Sequence, residues 1–223
     1  MGIPAARSRI VFRLAKAAHD NQNPTMKNEQ AIQRELTHRL SPDWTEGIEE
    51  YARVYQKLAP DQVQSLTKNE LWVLWVGKGF ADVQVQFPTP NPGQLQELRN
   101  ATKFLVDRSK SLGDRFCGAL ESLLEAVRLK DFTLHQVQRP VILRTLLILE
   151  GGTYGTVASV SKTNVLLDWA DKPEPKLDLH EAASFTHALE NVKTLIGEWA
   201  PRVGATKLGE RAQIPWHLYE IIK

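Results

Sequence analysis

Arg128 and His135 are separated by six residues in "RLKDFTLH", and an arginine and a histidine near a helix end are a pair that can cleave a phosphoester in RNA. The imidazole would move the proton as general acid or base, and the guanidinium would hold the phosphate. Only two residues define this pair. The competing reading, a solvated helix end followed by a loop histidine, leaves no catalytic residue assigned. Cys117 is the only cysteine and directly follows Phe116, so an inert, partly buried thiol is the simpler reading than a nucleophile. The six histidines are scattered and no HExxH occurs, while "GKG" at 77–79 lacks the spacing and the Ser/Thr of a phosphate-binding loop. No metal or cofactor is expected from these residues.

Basic side chains offer binding chemistry instead. Residues 1–40 carry seven Lys/Arg (Arg7, Arg9, Arg13, Lys16, Lys27, Arg34, Arg39) against three acids (Asp20, Glu29, Glu35). The whole chain has a net charge of only +2, so the remainder is close to neutral or slightly acidic. Arg9, Arg13 and Lys16 fall at i, i+4 and i+7, one stripe of a helix. The turn "EGGTYGT" can present backbone N–H groups to a phosphate, with Arg139, Arg144 and Lys162 nearby in sequence. Arg9, Arg13, Lys16, Arg144 and Lys162 are therefore the residues assigned to a polyanion, with DNA the partner considered. Six tryptophans invite a base-stacking role. Trp44, Trp169 and Trp199 sit on apolar stripes and read as core, Trp72 and Trp75 lie in a dense apolar run, and Trp216 lies in the tail.

The elements that must position these groups are helices. The expected class is mainly α, a multi-helix domain with one or two very short strands. Residues 4–19 read as a helix with Ile10, Leu14 and Ala17 on one side, and residues 27–40 as a second, polar helix with few apolar residues to bury; together they form a basic N-terminal arm. Met26, after the break "DNQNPT", also offers an alternative start. Ser41 and Pro42 open a helix whose Trp44, Ile48, Tyr51, Tyr55 and Leu58 share a face. "TKNE" at 67–70 is a capping box. Val83, Val85 and Phe87 alternate as a short strand. Asn91 and Pro92 start a long helix expected to reach Leu112, with Gly113 stopping it and Asp114 capping the next. That next helix carries Phe116, Leu120, Leu123, Leu124 and Val127.

Val141–Leu149 is apolar almost all round, the pattern of a buried central helix, ended by Gly151 or Gly152. "TVASV" has room for one edge strand, and Ser161 can cap a helix through Val165, Leu166 and Trp169. Phe185, Leu189, Val192, Ile196 and Trp199 share the face of a long helix. The expected division is a basic arm at 1–40, a helical core at 41–200, and a linker with a short terminal helix at 201–223.

Composition sets the outer limits. Of 223 residues, 42% are hydrophobic and 24% charged, the balance of a globular protein. No apolar run reaches the roughly 18 residues that span a bilayer. Met1–Asp20 lacks the continuous apolar stretch of a secretory signal. One cysteine excludes an internal disulfide and a multi-cysteine zinc site. A cytoplasmic location, away from membranes, is the economical reading.

The run "DRFCGALESLLEAVRLKDFTLHQVQRPVILRTLLILEGGTYGTVASVSKTNVLLDWA", residues 114–170, resembles the region upstream of the AAA+ motor in McrB-like modification-dependent restriction proteins. The likeness lies in an amphipathic helix, the turn "KDF", a proline-started apolar helix, an aromatic turn and a helix from about Lys162. "IPWHLYEIIK" is similar to the short helix that leads into such a motor. It departs from that pattern in carrying "GGTYGTVAS" where a proline-containing turn is common. The resemblance implies a non-enzymatic DNA-recognition or adaptor module of a prokaryotic restriction or defence system, with an AAA+ motor domain or subunit as partner. No GTPase chemistry carries over, because the motor is not in this sequence. Two alternatives stand beside it. The Arg128–His135 spacing fits the loose motif of HEPN-type ribonucleases. A protein–protein adaptor without nucleic-acid contact would use exposed aromatics.

Overall fold

The computed structural model describes residues 24–76, 92–129, 139–172 and 174–223. Among these the chain is mainly α, with nine α-helices and no strand. The helix expected at 4–19, with Arg9, Arg13 and Lys16, the strand at Val83–Phe87, the cap at Asn91 and His135 all lie outside the described residues.

Helix α1 spans Pro24–Arg39. Its polar sequence suggested an exposed arm, but Ile32 and Leu36 are buried where α1 meets the last two helices. Two apolar residues at i, i+4 suffice to dock a helix when its neighbours supply the opposing faces. Helix α2, Pro42–Tyr55, starts as the sequence suggested: the Ser41 hydroxyl accepts from Trp44 N–H (3.4 Å) and Pro42 occupies the first turn. Ile48 and Tyr55 are buried and Trp44 and Tyr51 pack partly against the core. After a 3₁₀ turn at Gln62–Ser65, the capping box forms, Thr67 N–H to Glu70 Oε2 (2.8 Å) and Glu70 N–H to Thr67 Oγ1 (3.2 Å). It opens α3, Lys68–Val76. Trp75 of α3 is buried and donates from Nε1 to Thr102 Oγ1 (2.9 Å).

Helix α4, Pro92–Val106, ends earlier than its periodicity suggested. Asp107 Oδ1 accepts from Ser109 Oγ (2.5 Å), a local side-chain turn that competes with helix. Ser111 then caps α5, Leu112–Arg128, by accepting from Asp114 N–H (3.1 Å). Gly113 is thus inside α5 rather than a stop. Its role is close approach, since a Cβ there would run into the Ala182 backbone of a later helix.

Helix α6, Arg139–Leu149, is buried at every position from Val141 to Leu149 and is packed by α2, α3, α4 and α5, the central helix its sequence suggested. Gly151 (φ 62°) and Gly152 (φ 80°) both take the left-handed conformation that ends it. Residues 156–159 form a loop, with Thr156, Val157 and Ala158 buried, and not the expected edge strand. β-Branched residues make a strand only when another strand offers its backbone, and here the neighbour is a helix.

Helix α7 is Val160–Trp169, with Ser159 rather than Ser161 at the N-cap. Helix α8, Ala182–Val203, buries Phe185, Leu189, Val192, Ile196 and Trp199 as the stripe required. It ends at left-handed Gly204, where Ala205 N–H reaches back to Ala200 O (2.9 Å).

The expected linker is absent from 201–223. Helix α9, Leu208–Ile222, buries Ala212, Gln213, Ile214, Pro215 and Leu218 against α1, α2, α7 and α8. Gln213 joins it to the start of α2: Oε1 accepts from Ser41 N–H (2.9 Å), and Nε2 donates to Thr45 Oγ1 (2.8 Å) and Ser41 O (3.1 Å). One apolar cluster runs from Ile32 to Leu218.

Candidate functional site

The five residues assigned to a polyanion separate in the structure. Arg9, Arg13 and Lys16 lie outside the described residues. Arg144 is fully buried on α6, where its Nη1 donates to Leu74 O (3.2 Å) and its side chain hydrogen-bonds Tyr51. Its assignment as a phosphate contact is corrected: in this fold the guanidinium binds the protein's own interior. The sequence signal misled because an arginine in an apolar run looks like a surface interruption when the run's partners are unknown. The glycine turn is corrected as well. Gly151, Gly152, Thr153 and Gly155 N–H all donate to carbonyls within residues 147–152, so these four are committed within the chain rather than turned to a phosphate.

Lys162 remains, in unforeseen company. Near the start of α7, its ammonium sits 4.1 Å from the Trp216 ring centroid and 5.3 Å from that of Tyr219, both on α9. Lys223 Nζ lies 5.8 Å from the Tyr219 ring. The carboxyl of Glu220 is held below its ordinary value, chiefly by the hydrogen bond from Lys223, with the charges of Lys162 and Arg39 adding. Lys162 and Lys223 therefore lie near two aromatic rings, and their charges and that of Arg39 all favour the ionised Glu220 carboxylate. Arg39 also pairs with Glu35 (2.5 Å). Three cations against Glu220 and Glu35 leave a formal excess of one positive charge. The α9 aromatics were legible as residue types; their pairing with Lys162 depends on how α7 and α9 cross.

His217 lies at the edge of this corner, its ring edge-on to Trp44 with centroids 5.5 Å apart. Nε2 is buried without a hydrogen-bond partner. Burial, helped by the Arg39 charge and opposed by Glu220, pushes the imidazole below its ordinary value of 6.5. The folded state thus binds fewer protons than the unfolded chain just below that pH. Stability should fall as pH drops through about 6.5 and keep falling until the depressed folded value is reached. Thermal melts of the parent and His217→Gln between about pH 7.5 and pH 5 check this; identical pH slopes in the two proteins would contradict it.

A second polar group went unforeseen. Arg115 is buried and donates to Glu150 Oε1 (2.6 Å) and to Leu105 O. Arg108 donates to Leu58 O and Leu149 O (both 2.9 Å). Tyr154 OH donates to Glu190 Oε1 (2.7 Å). These groups tie the α4–α5 turn to the end of α6 and brace the loop that follows on α8, which is structural work. Nothing in the sequence separates these arginines from solvated ones.

Arg128 is 79% exposed and pairs with Glu125 (2.8 Å), the solvated helix end of the simpler reading. Cys117 is half-buried, and burial raises its pKa, the opposite of an activated thiol. Among the described residues no group of His, Cys, Asp or Glu is placed to hold a metal ion, and no helix is long and apolar enough to cross a membrane. In comparisons with known proteins, no family model, no curated protein and no solved structure matches the chain.

Proposed function

We propose that this chain is a non-enzymatic recognition or adaptor module of a DNA restriction or defence system. It contacts the DNA backbone with Lys162 and Lys223 and with the basic segment that precedes α1 in sequence, and passes that engagement to an AAA+ motor partner. The observation that carries the reading is the seating of Lys162 on the Trp216 and Tyr219 rings, with Lys223 near Tyr219. Cations held against aromatic rings lose less side-chain freedom when they bind phosphate, and the rings add contact area for sugar and base. The formal excess of one charge is too small for tight binding by this corner alone. Affinity on this reading needs Arg9, Arg13 and Lys16 as well.

Binding should be weak and strongly salt-dependent. Lys162, Lys223 and the three basic residues of the segment neutralise at most five phosphates, so the slope of log affinity against log salt should be about −3 to −5. Charge reversal at Arg9, Arg13 and Lys16 together should flatten the slope by about three units, and at Lys162 by about one. Fluorescence anisotropy with labelled duplexes across a salt series measures both. If neither unmodified nor methylated duplexes bind at low salt, DNA recognition fails and a purely protein-binding adaptor replaces it.

A further inference from the structure

On the side of the molecule built by α8, the glycine turn after α6 and the start of α9 lies a cleft of about 540 Å³. That volume is within the range of small-molecule sites. Its apolar wall includes Ile196 and Leu208, and two cations, Lys193 of α8 and Arg211 of α9, line it. Gly197 also lines it, and a Cβ built there meets nothing within 4 Å. A glycine inside a helix weakens it relative to alanine; this one leaves the cleft open.

The charges are unequally committed. Glu190 accepts from Tyr154 OH (2.7 Å) with one oxygen and pairs with Lys193 (3.2 Å) through the other. Glu210, next to Arg211 in sequence, does not line the cleft, and its Oε2 accepts from the N–H groups of Thr206 and Lys207. Arg211 donates from Nε to Ala205 O (3.3 Å), and no carboxylate pairs with it among the described residues. Lys193 and Arg211 against Glu190 leave one positive charge at the rim of an apolar-walled cleft.

We infer that this cleft binds a small organic monoanion, its apolar body against Ile196 and Leu208 and its charged head on Arg211. The site is separate from the Lys162 corner, so neither proposal depends on the other.

Naphthalene-1-sulfonate supplies both features and is the probe, titrated into the full chain by calorimetry and by amide chemical-shift mapping. Saturable binding at about 1 mM or tighter is expected, with the largest shifts at the Gly152 and Gly197 amides. 1-Naphthol, which lacks the charge, and inorganic sulfate, which lacks the body, should each bind at least tenfold more weakly. Arg211→Gln should weaken the probe at least fivefold and Gly197→Phe at least tenfold. Gly197→Ala should change affinity by less than twofold while raising the melting temperature, which separates cleft filling from misfolding. Absence of saturable binding, shifts that map elsewhere, equal affinity for 1-naphthol, or an Arg211→Gln protein that binds like the parent would each overturn the inference.

Discussion

Arg144→Glu should unfold the protein rather than remove a surface contact. The side chain is fully buried in the middle of α6, donating to Leu74 O (3.2 Å) and hydrogen-bonding Tyr51. Burial pushes the guanidinium's pKa down while Tyr51 opposes that shift, so the site tolerates a cation only through the partners it has. A glutamate there would set a desolvated carboxylate against the Leu74 carbonyl oxygen. Breaking a buried charged interaction costs about 3–5 kcal/mol, and a domain has only about 5–15 kcal/mol in total. Arg144→Met keeps the bulk and the apolar contacts and leaves two polar groups less well bonded, a smaller loss of about 1–3 kcal/mol. Urea unfolding followed by circular dichroism ranks the two. A glutamate variant as stable as the parent would show that this arginine is not in the core.

Removing α9 should be at least as damaging. A chain ending at Gly204 loses Ile214 and Leu218, whose burial contributes about 3–6 kcal/mol between them. It also loses the Gln213 amide that serves Ser41 and Thr45. The faces of α1, α2, α7 and α8 that α9 covers would meet water. The approach is close: a Cβ on Gly209 would run into the Thr45 backbone, so no other residue reproduces this contact without a shift. The shortened chain should show a broad, non-cooperative melt with exposed apolar surface, seen by calorimetry and dye binding. A sharp transition at the parent's temperature would instead make the terminal segment an appendage outside the cooperative core.

These two expectations mark where local reading ended. Patterns that depend only on neighbours in the chain were legible from sequence: the Ser41–Pro42 helix start, the Thr67–Glu70 capping box, the all-round apolar α6 with its glycine stop, and the α8 stripe from Phe185 to Trp199. Each rests on a helical period or on a hydrogen bond spanning three or four residues, which the sequence alone determines. The class, mainly α, followed from the same periods.

Tertiary structure decided what those periods face. Ile32 and Leu36 are too few to announce a buried helix; α8 and α9 bury them. "TVASV" has strand composition but no strand beside it, and Gly155 lets it lie against Pro215, where a Cβ would stand 2.6 Å from the ring. The candidate site divides in the same way. Lys162 was visible as a residue type more than fifty positions before Trp216 and Tyr219, and only the crossing of α7 and α9 puts the ammonium on the rings. Arg144 and Lys162 look alike in sequence, each a cation near apolar residues. One is interior and the other at the surface because burial depends on all the elements that pack around a residue, most of them distant in the chain.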